Sequence, residues 1–253
     1  MKRVIGIVSG KGGVGKTTIA FNLGYAFSKL GIKTTILDLN LTTSHLGLYA
    51  GLSHLSLTLN DLMREDIPVL EATYKLPIGL NIIPASYSLE DLVGINQEKI
   101  SEIIEKIDSE IILLDSAPSL GKESLLTIRN SNYLLYVAMP NIVSLLDIIR
   151  VKKIADELEK ESLGIIVNMR GKSKHELGND EIESLTGLRV IQEIPFDDLI
   201  ERANQIGKSI IEIDPYSKTS LSFLEIASKI SGIEMPKISF WYRVFGRFLK
   251  PKF

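Results

Sequence analysis

Residues 10–18 read Gly-Lys-Gly-Gly-Val-Gly-Lys-Thr-Thr. They follow the apolar run Val4-Ile5-Gly6-Ile7-Val8 and precede a helical pattern over 19–30. Gly10, Gly15, Lys16 and Thr17 satisfy the phosphate-loop spacing G-x-x-x-x-G-K-[ST], in the strand–loop–helix setting that gives the spacing its meaning. The chemistry needs these residue types. Glycines let the backbone turn with positive φ and bring its N–H groups close to an anion. The helix that follows points its positive dipole end at the same place. Gly12, Gly13, Val14, Gly15, Lys16, Thr17 and Thr18 are therefore the candidate cradle for a nucleotide's phosphates. Lys16 reaches the β- and γ-phosphates, and the Thr17 hydroxyl ligates Mg²⁺.

Beyond the loop, short β-rich runs alternate with helical patterns. Strands are predicted at 33–38, 80–84, 111–115, 133–138, 164–168 and 190–194. Helices are predicted at 97–108, 144–160, 198–206 and 219–230, and 39–52 reads as a loop before a short helix. This alternation predicts an α/β fold: a single doubly wound, mostly parallel sheet with helices on both faces. The 253 residues suffice for one such domain. We place it at 1–231, with a short linker at 232–236 and a tail at 237–253.

Composition narrows the chemistry. The chain has no cysteine, which excludes disulfides, thiolate-bound zinc and cysteine-bound iron–sulfur clusters. The N-terminus is not expected to be a signal peptide, because Lys2-Arg3 precede only a short apolar run. No run approaches the roughly 18 apolar residues of a membrane-spanning helix. Net charge is −2, but residues 237–253 hold Lys237, Arg243, Arg247, Lys250 and Lys252 and no acid. Without those five, 24 basic residues face 31 acidic ones, a net −7 for the rest. A body this acidic is a poor nonspecific binder of nucleic acid, so DNA is not an expected partner.

Ligands of open α/β sheets bind at the carboxyl ends of strands. Asp38 and Asp115 each close a predicted strand there, and with Thr17 they are the candidate Mg²⁺ ligands. Lys11 is a second lysine inside the loop, where one nucleotide needs only one. With it the loop resembles the deviant phosphate loop of the MinD/ParA ATPases. In that family the extra lysine reaches across a dimer interface to the partner's nucleotide. The resemblance implies ATP and ADP as ligands, a homodimer with two ATPs sandwiched between subunits, and Lys11 as a charge clamp in trans. It extends over most of the chain. Residues 38–51 resemble the first switch segment of MinD-type proteins, and Asp115-Ser116-Ala117-Pro118-Ser119 the second. Residues 165–169 and 194–198 resemble the purine-binding segments, which assigns adenine contacts to Asn168 and to the backbone around Pro195 and Asp197. One position departs from the pattern. The first switch usually reads D-x-D, and its second Asp orients the attacking water; here Asn40 stands in that place. An amide positions a water but does not take its proton, so slow ATP hydrolysis is expected, well below about one turnover per second.

At 100° per residue, 238–249 form an amphipathic helix. Ile238, Trp241, Tyr242, Val244, Phe245, Phe248 and Leu249 share one side; Ser239, Arg243, Gly246 and Arg247 take the other. Such a helix suits the plane of an anionic membrane interface, and the MinD branch carries a membrane-targeting helix at this end. The resulting expectation is a cytoplasmic ATP-dependent switch, peripheral to the inner face of the cell membrane, acting in division-site or polar positioning. A flagellum- or pole-organising relative and a DNA-binding ParA-type partition ATPase are the alternatives. A protein partner or activator is also expected, its contacts on solvated helical faces such as 144–160.

Overall fold

The computed structural model describes residues 2–118 and 120–235. The tail residues Ile238, Trp241, Arg243, Phe245, Arg247, Phe248 and Leu249 lie outside the described residues, so the expected amphipathic helix has no structural account here. In chain order the elements are β1 (Arg3–Val8), α1 (Lys16–Lys29), β2 (Thr34–Leu39), α2 (Leu46–Tyr49), α3 (Leu59–Arg64), β3 (Tyr74–Lys75), β4 (Asn81–Ile83), α4 (Ile100–Lys106) and β5 (Ile111–Ser116). They continue with α5 (Lys122–Asn130), β6 (Tyr133–Ala138), α6 (Ile142–Glu157), β7 (Glu161–Arg170), α7 (Asn179–Thr186), β8 (Val190–Pro195), α8 (Asp198–Gln205), α9 (Ile210–Ile213) and α10 (Lys218–Ser231).

The eight strands form one sheet in the order β3-β4-β2-β5-β1-β6-β7-β8. All pairings are parallel except β3 with β4. The central strands are buried from end to end; β2 and β5 show no exposed residue. That follows from their continuous Thr, Ile and Leu runs, which need cover on both faces. Alternation sorts the side chains. Ile5, Ile7, Ile36, Leu113, Leu135 and Val137 join α1 and α10 in one core, around Phe21, Phe27 and Phe223. Leu37, Leu39, Ile112 and Leu114 pack on the opposite face with α3 and α4. Leu134, Tyr136 and Ala138 pack there with Leu145, Ile148 and Val151 of α6. The doubly wound sheet expected from the sequence is the one observed.

Several details differ from expectation. The predicted helix over 97–108 opens as a 3₁₀ turn at Gln97–Lys99 and ends at Lys106. The predicted strand at 164–168 runs from Glu161 to Arg170, longer at both ends. Helices α3, α5 and α7 and the antiparallel edge strand β3 were not predicted. Met235, in the predicted linker, packs against the core shared by α1 and α10. Among the described residues no helix is long and apolar enough to cross a membrane.

Candidate functional site: a phosphate loop above two carboxylates in register

The sheet's carboxyl edge brings the predicted residues together. β1 ends at Val8, and the loop then turns into α1 at Lys16. Gly15 sits at φ +94, and a Cβ there would lie 2.5 Å from Asn168 Nδ2; both facts restrict the position to glycine. Gly10 lies against α6, where a Cβ would meet the Asp147 backbone carbonyl at 2.6 Å. The loop is thus clamped between α6 and β7 rather than held by its own turn alone.

Asp38 and Asp115 are register partners on adjacent parallel strands. Alternation gives them the face of Ile36 and Leu113, the one covered by α1. Both are buried. Burial pushes the Asp115 carboxyl up to about 8, and the neighbouring Asp38 charge adds to the shift. Burial also raises Asp38, to about 6, against hydrogen bonds that favour its charged form. These come from Ser44 Oγ at 2.6 Å and the Asn40 N–H at 3.0 Å. Asp115 has no such support: both of its oxygens are buried without a hydrogen-bond partner. The Thr17 hydroxyl lies close enough to ease the shift without bonding either oxygen.

An orphaned carboxylate beside a loop hydroxyl has the oxygen chemistry that a hard divalent cation takes. Among the described residues there is no cluster of three or more His, Cys, Asp or Glu side chains. That is consistent with Mg²⁺, which usually binds one or two carboxylates and completes its shell with water and phosphate oxygens. Asp115 and Thr17 fit the ion directly, whereas Asp38 is already engaged by the first switch segment.

Lys16 is buried, and its Nζ donates to Ser9 Oγ at 2.9 Å. Burial lowers its pKa, opposed by the Asp115 carboxylate. Lys11 differs in every respect: it is exposed, and among the described residues its ammonium has no hydrogen-bond or ion-pair partner. Asn40 is buried and folded into the switch. Its Nδ2 donates to Thr43 O at 2.6 Å, and its Oδ1 accepts from Thr43 Oγ1 at 2.9 Å. Thr42 Oγ1 donates to Glu123 Oε1 at the start of α5, tying the first switch segment to the element that follows the second.

On the base side, Asn168 donates from Nδ2 to Val14 O at 2.8 Å, so it touches the loop itself. Its amide oxygen accepts no hydrogen bond among the described residues. Met169 beside it holds φ +59, a left-handed conformation uncommon for a residue with a side chain. Pro195 closes β8. The side chain of Asp197 is committed elsewhere: one oxygen accepts from the Leu199 N–H at the start of α8, the other from Thr219 Oγ1. Only its backbone is left for a base. Sequence reasoning missed Ser9, Ser44 and Asn204. Asn204 donates from Nδ2 to Thr18 Oγ1 at 3.3 Å and anchors α8 to the loop helix. A serine directly before the first loop glycine was a readable signal; Asn204 had none.

Comparison with known proteins agrees with this geometry. The profile of the ParA family, described as an NUBPL iron-transfer P-loop NTPase, matches residues 1–231. An uncharacterized ATP-binding protein of Methanocaldococcus jannaschii is 35% identical over 234 residues, spanning 92% of this chain and 89% of its own length. The antiactivator FleN of Pseudomonas aeruginosa is 25% identical over 251 residues, with 92% and 88% covered. The septum site-determining protein MinD of Pyrococcus horikoshii, solved with Mg-ADP, superimposes with a TM-score of 0.88 at 28% identity. That likeness covers 94% of this chain and all of the other. With no cysteine, the present chain offers no thiolate for an iron cluster; what it shares with the profile is the nucleotide fold. Loop, register-paired acids and a likeness along almost the whole chain place this protein in the ParA family of P-loop NTPases, among its MinD-like members.

Proposed function

We propose that this chain is an ATP-driven switch. It binds ATP with Mg²⁺, dimerises around two sandwiched nucleotides, and hydrolyses them slowly. Through residues 237–253 it associates with the anionic inner face of the cell membrane from the cytoplasm, in spatial organisation of the cell. The observation that carries the reading is Lys11, an exposed lysine without a partner among the described residues on a loop whose other lysine is buried. A cation held free at the phosphates of its own subunit is suited to a charge across an interface.

The chain's own residues divide the work. Loop N–H groups from Gly12 to Thr18 and Lys16 bind and orient the phosphates. Asp115 and Thr17 would hold Mg²⁺, which would supply positive charge against the negative charge building on the phosphates. Asp38, held by Ser44 Oγ, would serve as a further carboxylate beside the ion. Asn40 orients the attacking water by its amide after leaving Thr43, and has no carboxylate with which to take the proton. Asn168 and the backbone at Pro195 and Asp197 hold the adenine. A second reading is favoured by the likeness to FleN: the same switch acting in flagellar or polar organisation. The net charge of −7 over residues 1–236 weighs against DNA.

The test is sedimentation with anionic liposomes, with ATP and with ADP, for the full chain and for a chain ending at residue 236. Pelleting that needs both ATP and the tail is expected. Pelleting that persists without the tail would overturn the membrane reading, and a DNA mobility shift at physiological salt would favour partition.

A further inference from the structure

Ser9 lies outside the phosphate-loop pattern, is 1% exposed, and makes two hydrogen bonds with fixed directions. Its Oγ donates to Lys11 O at 2.7 Å. Its single proton being spent there, the hydroxyl can only accept from Lys16, whose Nζ lies 2.9 Å away. The loop's two lysines therefore meet at one serine, through the backbone of Lys11 and the ammonium of Lys16. Asp115 stands on the adjacent strand β5 in register with Ile7, two residues before Ser9, and its charge acts on the Lys16 ammonium. Both Asp115 oxygens are buried and unpartnered, and among the described residues no ion pair joins it to Lys16.

A direct Lys16–Asp115 contact would draw the Asp115 carboxyl into its ionised form and pair it with the buried ammonium. It would also occupy two groups that phosphate and Mg²⁺ need. We infer that Ser9 is a positioning residue that holds the Lys16 ammonium off Asp115 and so keeps both groups available to an incoming nucleotide. The inference rests on the nucleotide-binding reading above. Three features of the site support it. The acceptor is pre-oriented by the Lys11 carbonyl, the ammonium is buried and so takes few alternative partners, and the carboxylate is left bare. Without the hydroxyl, Lys16 turns to Asp115, and a nucleotide then has to break a buried ion pair before it binds.

The test is binding of ADP in EDTA, without any metal, to the full chain by titration calorimetry. Ser9→Ala is expected to weaken ADP about tenfold in the wild-type background. In an Asp115→Asn background, where no carboxylate is left for Lys16, the same change should cost less than about twofold. Ser9→Thr, which keeps the hydroxyl, should restore affinity to within about threefold of wild type. If Ser9→Ala does not fold, Ser9→Cys keeps the volume with a poor acceptor and carries the same expectation. An equal loss in both backgrounds would show a merely structural role and overturn the inference, as would no loss in either. Failure of the wild-type chain to bind ADP would instead overturn the nucleotide reading, so the two failures are distinguishable.

Discussion

Asp115 stands in register beside Asp38 with both oxygens bare, and the cost of that arrangement depends on pH. Its carboxyl is raised to about 8 in the fold, against about 4 in an unfolded chain. The folded state therefore holds the proton more tightly. The stability this contributes is complete below pH about 4 and is lost as pH rises through about 8. In metal-free buffer Asp115→Asn removes the dependence. Its melting temperature should exceed that of wild type by a margin that widens from pH 6 to pH 9, by more than about 2 °C. A margin that stays constant over that range would show that Asp115 does not titrate there. With Mg-ADP present the order should reverse, because the amide is a poorer ligand. Gly15 yields a second expectation. Alanine there meets φ +94 and Asn168 Nδ2 at 2.5 Å, so Gly15→Ala strains the loop and displaces the amide that holds Val14. Titration of ADP should show affinity weakened at least about tenfold, the scale of one to three kcal/mol of local strain. Unchanged affinity would mean the loop adopts another path.

The elements around the site explain why much of it was legible in the sequence. β1 and β5 are apolar runs with no competing pattern, β1 leading into the phosphate loop and β5 into Asp115, so both strand and site could be read together. What escaped notice lacks that contrast. α7 buries only Ile182 and Thr186, too little for a periodic apolar signal. It is set by local bonds instead, Glu181 accepting the Gly178 N–H and Gly187 ending it at φ +67. β3 is two residues long and exists through its pairing with β4, a contact no local pattern reports. The first switch segment shows the same limit. Asn40 could be named from its position, but its hold on Thr43 is tertiary detail. That hold shapes a third prediction. Asn40→Asp replaces the donor to Thr43 O with an acceptor, so it breaks one of the side chain's two bonds to Thr43, keeps the one from Thr43 Oγ1, and adds a base. Single-turnover hydrolysis should rise by at least about tenfold, a threshold set below the roughly 10²-fold or more that a well-placed general base contributes. No change in that rate would exclude position 40 from water activation.

At the scale of the whole molecule, the charge distribution and the fold act together. The body carries −7 and the tail +5, so in the proposed membrane association the tail is the part an anionic surface would attract. Each of its cations adds about 1 kcal/mol near such a surface. Five would give a hold that competes poorly with repulsion from the acidic body, and the apolar residues Trp241, Phe245 and Phe248 would have to supply the rest. The proposed dimer would change the arithmetic: its second tail would bind at the effective concentration set by the first, strengthening the whole attachment by about 10² or more without any new contact. Membrane affinity should then report on dimerisation, and dimerisation on Lys11. Full-length Lys11→Ala is expected to retain ADP binding but to give no dimer with ATP in light scattering. On anionic vesicles it should pellet with ATP only as weakly as the wild type does with ADP, at least about tenfold below wild type with ATP. Fusing the mutant body to a constitutive coiled-coil dimer should restore pelleting irrespective of nucleotide. If Lys11→Ala dimerises normally, the lysine is not a clamp in trans. If the forced dimer stays in solution, the tails do not act as paired anchors, and the link from phosphate loop to membrane is broken at its last step.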